Sequence, residues 1–177
     1  IDIGGDKLTV LANHWKSQSG DRDENIAIRT AEALAVRAEA LAILAREPHA
    51  ALVVTGDFNV DFDDPCLTVS FKAATDRDRA AGTSGAGTVF YNLLGDIPAA
   101  QRGSYYYARR KVWNTFDALL VAPAMLAPPD QPGPPWRVSP PEARATLTYA
   151  LPPMREPGDR RPKAFRRVRI KDKPANY

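Results

Sequence analysis

At 177 residues, 44% apolar and 25% charged, the chain is long enough to bury a core and has the composition of a folded domain, not of a disordered or fibrous one. Its net charge of +3 is modest and no apolar run approaches the roughly eighteen residues of a membrane-crossing helix; Ile1-Asp2-Ile3-Gly4-Gly5 has no start Met, basic leader or signal-type apolar core, so residue 1 reads as a cut into a longer protein. Cys66, the single cysteine, excludes an internal disulfide and a cysteine-rich zinc site and leaves the compartment open.

The first element is the apolar run Lys7 to Ala12, a strand expected over 7–13, which ends in the polar cluster Asn13-His14-Trp15-Lys16-Ser17. Gly20-Asp21-Arg22-Asp23-Glu24 supplies turn formers and an N-cap. Asn25 to Glu47, rich in Ala, Leu, Glu and Arg with no Gly or Pro, then predicts a long helix that Pro48 stops. Ala31, Leu34, Ala38, Leu41 and Ala45 recur at three and four, so this stripe is expected to lie on a sheet while Arg29, Arg37 and Glu39 face elsewhere. A second apolar run predicts a strand over 51–55, followed by Gly56-Asp57-Phe58-Asn59. Strand, helix and strand form a crossover unit with parallel strands, which puts their carboxyl ends, and so His14 and Asp57, on one edge.

Further along, Asp63-Asp64-Pro65 reads as the start of a short helix over Cys66 to Ala74, and Asp76 to Gly87 has the composition of a surface loop. Thr88 to Leu94 is apolar and expected to be buried. Gly103 to Tyr107 suits a strand, and Trp113 to Val121 another, with Asp117 its single charge; the short Arg109-Arg110-Lys111 connection implies that the two pair antiparallel. His49, at the start of a strand, reads as structural. From Pro128 proline dominates, with irregular loops around short strands expected at Trp136 to Ser139 and Phe165 to Ile170. Residues 155–173 hold nine Arg or Lys against three Asp or Glu, leaving the rest of the chain at about −3. This cluster reads first as a solvated loop and second as a phosphate-holding patch.

Taken in order, Asn13-His14-Trp15-Lys16-Ser17 after one strand, Gly56-Asp57-Phe58-Asn59 after the next, and Tyr105 to Val121 further on resemble the second half of an endonuclease/exonuclease/phosphatase domain. That family of metal-dependent phosphoesterases includes DNase I-like nucleases, inositol-phosphate phosphatases and sphingomyelinases. The resemblance runs from about Lys7 to Val121 and implies an α/β fold, part of a two-sheet sandwich of the DNase I-like type, with a mixed sheet and flanking helices. Cleaving a phosphodiester demands neutralised phosphate oxygens, a water held in line and help for the leaving oxygen. The resemblance assigns these tasks. His14 would hydrogen-bond or protonate a phosphate oxygen, Asp57 would orient and deprotonate the attacking water, Asn59 would hold the phosphate or an ion-bound water, and Asp117 would orient a catalytic His. Mg²⁺, or Mn²⁺ or Ca²⁺, would be held in part by Asp57 and Asn59. Asn13, Lys16 and Arg29 are candidate substrate contacts. Tyr107, with Tyr105, Tyr106 and Trp113, could stack on a base or sugar, although core packing is the commoner fate of such rings.

Two parts of the family pattern are missing from the sequence: a strand-end Glu that anchors the metal ion, and a closing Ser-Asp-His-type motif whose His partners the orienting Asp. Residues 1–177 are therefore expected to be the C-terminal part of one such domain, with a proline-rich basic region at 128–177. Alone, such a piece is expected to turn over little and to associate with the N-terminal half or with itself. The Asn-His-Trp-Lys-Ser form resembles that of bacterial members that are secreted or surface nucleases, which makes DNA the first expected substrate. A small phosphate ester or lipid head group is the alternative substrate. A catalytically dead phosphate-binding module is the alternative of another class, and the retained motifs argue against it.

Overall fold

A short strand and a long one open the chain in the computed structural model, which describes residues 1–139. β1 (Asp2–Ile3) and β2 (Asp6–His14) form an antiparallel hairpin turned by Gly4 and Gly5, both at positive φ, a turn the sequence reading did not anticipate. α1 (Arg22–Arg46) follows, capped by the Asp21 carboxylate, which accepts from the Glu24 N–H at 2.9 Å; Asp23 and Glu24 in its first turn and Arg46 in its last complement the helix dipole. β3 (Ala51–Asp57) lies parallel to β2, in register from Leu8 opposite Ala51 to His14 opposite Asp57. The expected crossover unit is present, and each strand runs slightly further than its apolar run.

A π-helical turn over Cys66–Phe71 leads into β4 (Ala73–Ala74), so the helix expected through Ala74 stops at Lys72, which adopts the left-handed conformation. The segment read as a loop contains a short helix, α2 (Arg77–Ala80), capped by the Asp76 carboxylate. β5 (Phe90–Asn92) is fully buried, as its apolar character implied. β6 (Tyr105–Tyr107) and β7 (Val112–Asn114) form an antiparallel hairpin, and β8 (Asp117–Val121) returns to the main sheet. The strand expected over Trp113 to Val121 is thus two strands, bent at Thr115 and Phe116, and Asp117 begins β8, exposed, instead of lying inside an apolar strand. The six-stranded mixed sheet runs in the order β1-β2-β3-β8-β5-β4. Trp136 to Ser139 is irregular, joined to the body by Val138 N–H donating to the Met125 carbonyl at 2.8 Å. The strand expected at Phe165 to Ile170, the basic cluster at 155–173 and most of the proline-rich region lie outside the described residues.

Alternation along β3 and β8 divides the apolar side chains between two faces. Leu52, Val54, Ala118 and Leu120 pack under α1 with Trp15, Phe58, Phe71 and Phe90; Ala51, Val53 and Val121 face the other way, against Tyr91, Met125, Trp136 and Val138. On that second face, Val10 and Leu119 remain 37% and 49% exposed. Cys66 belongs to the first core, its thiol pushed up by burial, so it is packing and not a nucleophile.

The buried stripe of α1 is Asn25, Arg29, Ala33, Arg37 and Ala40, not Ala31, Leu34, Ala38, Leu41 and Ala45, and Leu34 is 53% exposed. The long polar side chains override the apolar count because their heads find backbone acceptors. Arg37 donates to the carbonyls of Phe71 at 2.6 Å, Ala86 at 3.1 Å and Thr88 at 2.9 Å, closing the π-helical turn and the loop before β5 onto the helix. Burial holds its guanidinium below the usual arginine pKa, and the three carbonyls offset that desolvation. Arg37→Ala is expected to cost about 3–5 kcal/mol, because the two buried acceptors of Phe71 and Thr88 and the partly buried one of Ala86 lose their donor together. A urea midpoint within experimental error of wild type would refute this account.

Candidate active site

Register fixes the centre of the site. His14 lies opposite Asp57 across the parallel β2–β3 ladder, and Asp57 lies opposite Asp117 across the antiparallel β3–β8 ladder. Residues paired in this way project to the same face, so the three form one row across neighbouring strands spaced roughly 5 Å apart. The row sits at the carboxyl ends of β2 and β3, on the face away from α1. His14 and Asp117 are exposed and Asp57 is half-buried. Beside the row a hollow of about 620 Å³ runs along Thr55, Gly56, Ser104, Asp117 and Leu119.

Backbone bonds beyond the strand ends hold this geometry. Trp15 N–H donates to the Asp57 carbonyl at 2.9 Å and Phe58 N–H to the Phe116 carbonyl at 2.8 Å, which extends both ladders past the row. Gly56 has φ +137°, and a Cβ there would stand 2.8 Å from the carbonyl carbon of Asn13 and closer still to its oxygen. Only glycine lets β2 and β3 approach so closely one residue before His14 and Asp57. Asn59 is left-handed at φ 53°, a conformation asparagine tolerates, and its N–H donates to the Asp57 carboxylate at 2.9 Å. Its side-chain amide donates to the Trp15 carbonyl at 2.9 Å, so Asn59 ties the two strand-end loops together from a buried position. Asp117 N–H donates to Ser104 Oγ at 3.0 Å.

The other expected site residues lie apart from the row. Asn13 alternates with His14 and so faces the α1 side, where its amide donates to the Leu11 carbonyl at 2.9 Å. Arg29 is 5% exposed and donates to the carbonyls of Lys16 at 3.2 Å and Ser17 at 3.5 Å, which places it beneath the loop after His14 and not at the surface as a charge clamp. The reason is local: the loop leaves inward-facing carbonyls that only a long donor can reach. Lys16 is half-buried, its backbone N–H donating to Glu32 Oε2 at 2.9 Å. Tyr107 ends β6 at the tip of the hairpin. Missed from the sequence were Asn25, which donates to the Ser19 carbonyl, Glu32 and Ser104. Asn25, Arg29 and Glu32 stand four and three apart, so one polar helix face carries the whole clamp, a spacing visible in the sequence once a buried polar stripe is considered.

Two of the three acidic residues just after Asn59 have structural work. Asp61 accepts from Asn114 Nδ2 at 2.8 Å and from Thr115 N–H at 2.7 Å, and Asp64 accepts from Cys66 N–H at 2.8 Å. Among the described residues no group of three or more His, Cys, Asp or Glu stands together to hold a metal ion. What the site does offer a cation is hard oxygen, the half-buried Asp57 carboxylate; Asn59, the expected second donor, is buried with its amide turned to the Trp15 carbonyl. A carboxylate of this kind suits Mg²⁺, which keeps several waters and takes one or two carboxylates.

The Endonuclease/Exonuclease/phosphatase family model matches residues 2–143. The chain belongs to that family. That family, as its description says, groups nucleases and phosphatases, which are hydrolases of phosphoester bonds. A truncated TDP2 of Caenorhabditis elegans has a solved structure similar to this chain at 18% identity, with a TM-score of 0.44, covering 68% of this chain and 43% of that one. No curated protein matches the chain. The family's mixed α/β sheet is present, and no helix among the described residues is long and apolar enough to cross a membrane.

Proposed function

We propose that the protein is a divalent-metal-dependent phosphodiesterase acting on nucleic acid, with DNA the first substrate. The observation that carries this reading is the single row of His14, Asp57 and Asp117 on one sheet face, with Asn59 bonded to Asp57. Asp57 takes the proton of the attacking water, and its bond from the Asn59 N–H fixes which carboxylate oxygen faces outward. The His14 side chain, exposed and without a hydrogen bond among the described residues, is free to donate to a non-bridging phosphate oxygen. Asp117, the second carboxylate of the row, orients a catalytic imidazole, as the family resemblance implies. Asp57 would hold a divalent cation, whose chemistry there is neutralisation of phosphate charge and acidification of a bound water.

The reading concerns the whole protein, of which this chain spans less than half the length of the solved structure it resembles. The sheet face bearing Val10 and Leu119 is the surface we assign to the N-terminal half of the domain or to a second copy. The test is hydrolysis of DNA and of an aryl phosphodiester by the intact protein with Mg²⁺, and with EDTA as control. Cleavage of both that EDTA abolishes is the expected result. Cleavage of inositol phosphates or a lipid head group but not DNA would move the substrate to that alternative. Binding of phosphate ligands with no turnover would establish a non-catalytic module instead.

A further inference from the structure

The β6–β7 hairpin is absorbed neither by the core nor by the row. Because β8 runs antiparallel to β3, the residues before Asp117 must project beyond the carboxyl ends of β2 and β3, on the edge that carries His14 and Asp57. The base of the hairpin is fixed there by Asp117 N–H donating to Ser104 Oγ at 3.0 Å and by Asn114 donating to Asp61 at 2.8 Å. Its tip carries Arg109, Arg110 and Lys111, all exposed, whose side chains make no hydrogen bond or ion pair among the described residues. No acidic residue lies between Gly103 and Phe116 to neutralise them. A fully extended chain from Ser104 to Arg109 reaches at most about 18 Å, which bounds the distance from the site edge to the tip.

The flanks of the hairpin are aromatic. Tyr105 stacks on Phe116 with ring centroids 5.3 Å apart and planes inclined by 15°, and is still 48% exposed; Tyr106 lies against Trp113 at 5.2 Å. Cations at the end of an aromatic ribbon are the combination that tracks a polynucleotide, with charge for the phosphates and ring faces for the bases. A phosphate monoester at the row would not extend to the tip. A strand advancing about 3.4 Å per nucleotide would meet it within roughly five steps.

Resting on the phosphodiesterase reading, we propose that this hairpin is the polynucleotide-holding surface of the same site. Arg109, Arg110 and Lys111 grip backbone phosphates a few nucleotides from the scissile bond, and Tyr105 offers a stacking face between them and the row. The substrate is therefore a nucleic-acid strand, selected by what lies outside the reacting phosphate.

The test compares the wild-type protein with an R109Q/R110Q/K111Q variant and with a charge-keeping R109K/R110K variant. Binding of a fluorescent single-stranded oligodeoxynucleotide is read by anisotropy in EDTA, where no hydrolysis is needed. The triple variant is expected to weaken binding about tenfold at low salt and to make the dependence of log Kd on log salt shallower by about 2, while R109K/R110K keeps most of both. Its thermal midpoint and its turnover of an aryl phosphodiester should stay at wild-type values. Unchanged oligonucleotide affinity and salt slope would overturn the proposal, as would lost binding to phosphatidylserine-containing vesicles with oligonucleotide binding intact, which would make the hairpin a lipid contact. If no phosphodiester is hydrolysed at all while the triple variant still loses oligonucleotide binding, the catalytic reading fails and the hairpin surface stands.

Discussion

Asp57→Asn is expected to lower turnover of a phosphodiester at least about a hundredfold, the usual contribution of a positioned general base. The substitution is nearly isosteric, and the Asn59 N–H that now donates to a carboxylate oxygen can donate to the amide oxygen in its place. Geometry is retained while charge and basicity are lost, so the thermal midpoint should stay near wild type. His14→Ala should lose activity to a similar degree without destabilisation, since the imidazole is exposed and supports nothing among the described residues. The measurement is kcat on DNA and on an aryl phosphodiester, with melting curves beside it. Should both variants retain most of their activity, the row is not the catalytic centre and a binding module becomes the better account.

Gly56→Ala should damage stability and chemistry together. A methyl group there meets the carbonyl carbon and backbone nitrogen of Asn13 at 2.8 and 3.0 Å, and φ +137° is a conformation L residues rarely adopt. Neither obstacle can be relieved by a rotamer, because both are backbone. Pushing β2 from β3 to make room should cost about 3 kcal/mol, seen as a lower urea midpoint with an unchanged slope. The same movement separates His14 from Asp57, each one residue from the collision, and a displacement of about 1 Å at a reacting centre can cost about a hundredfold in rate. Loss of activity without loss of stability would mean that the glycine serves the substrate and not the close approach of the strands.

The strand–helix–strand unit was legible because each of its parts is local. Val10, Leu52, Val53 and Val54 favour a strand whatever surrounds them, and α1 has its cap, its alanines and its stop written in sequence. Parallel pairing then follows from the length of the connection, and with it the shared edge of His14 and Asp57. The face of α1 that goes inward was not legible in this way. Counting apolar residues chose Ala31, Leu34 and Ala38, but the choice belongs to Arg29 and Arg37, whose heads are buried only because backbone carbonyls of Lys16, Phe71 and Thr88 happen to stand within their reach.

Asp117 shows the same division. Its residue type and the order of motifs marked it as a site residue from the sequence, while the bend at Thr115 and Phe116 that makes it the exposed first residue of β8 is set by Asp61, more than fifty positions earlier, accepting from Thr115. The sequence alone determined the family, the parallel crossover and the chemical identity of the strand-end groups, because those depend on neighbours a few residues away. Only the tertiary structure decided that Asp117 joins His14 and Asp57 on one sheet face, that Arg29 lies under the loop, and that the basic hairpin projects from the same edge. Each of those depends on which distant backbone groups need a partner, and hydrogen-bond satisfaction across the fold has no period that a linear reading can detect.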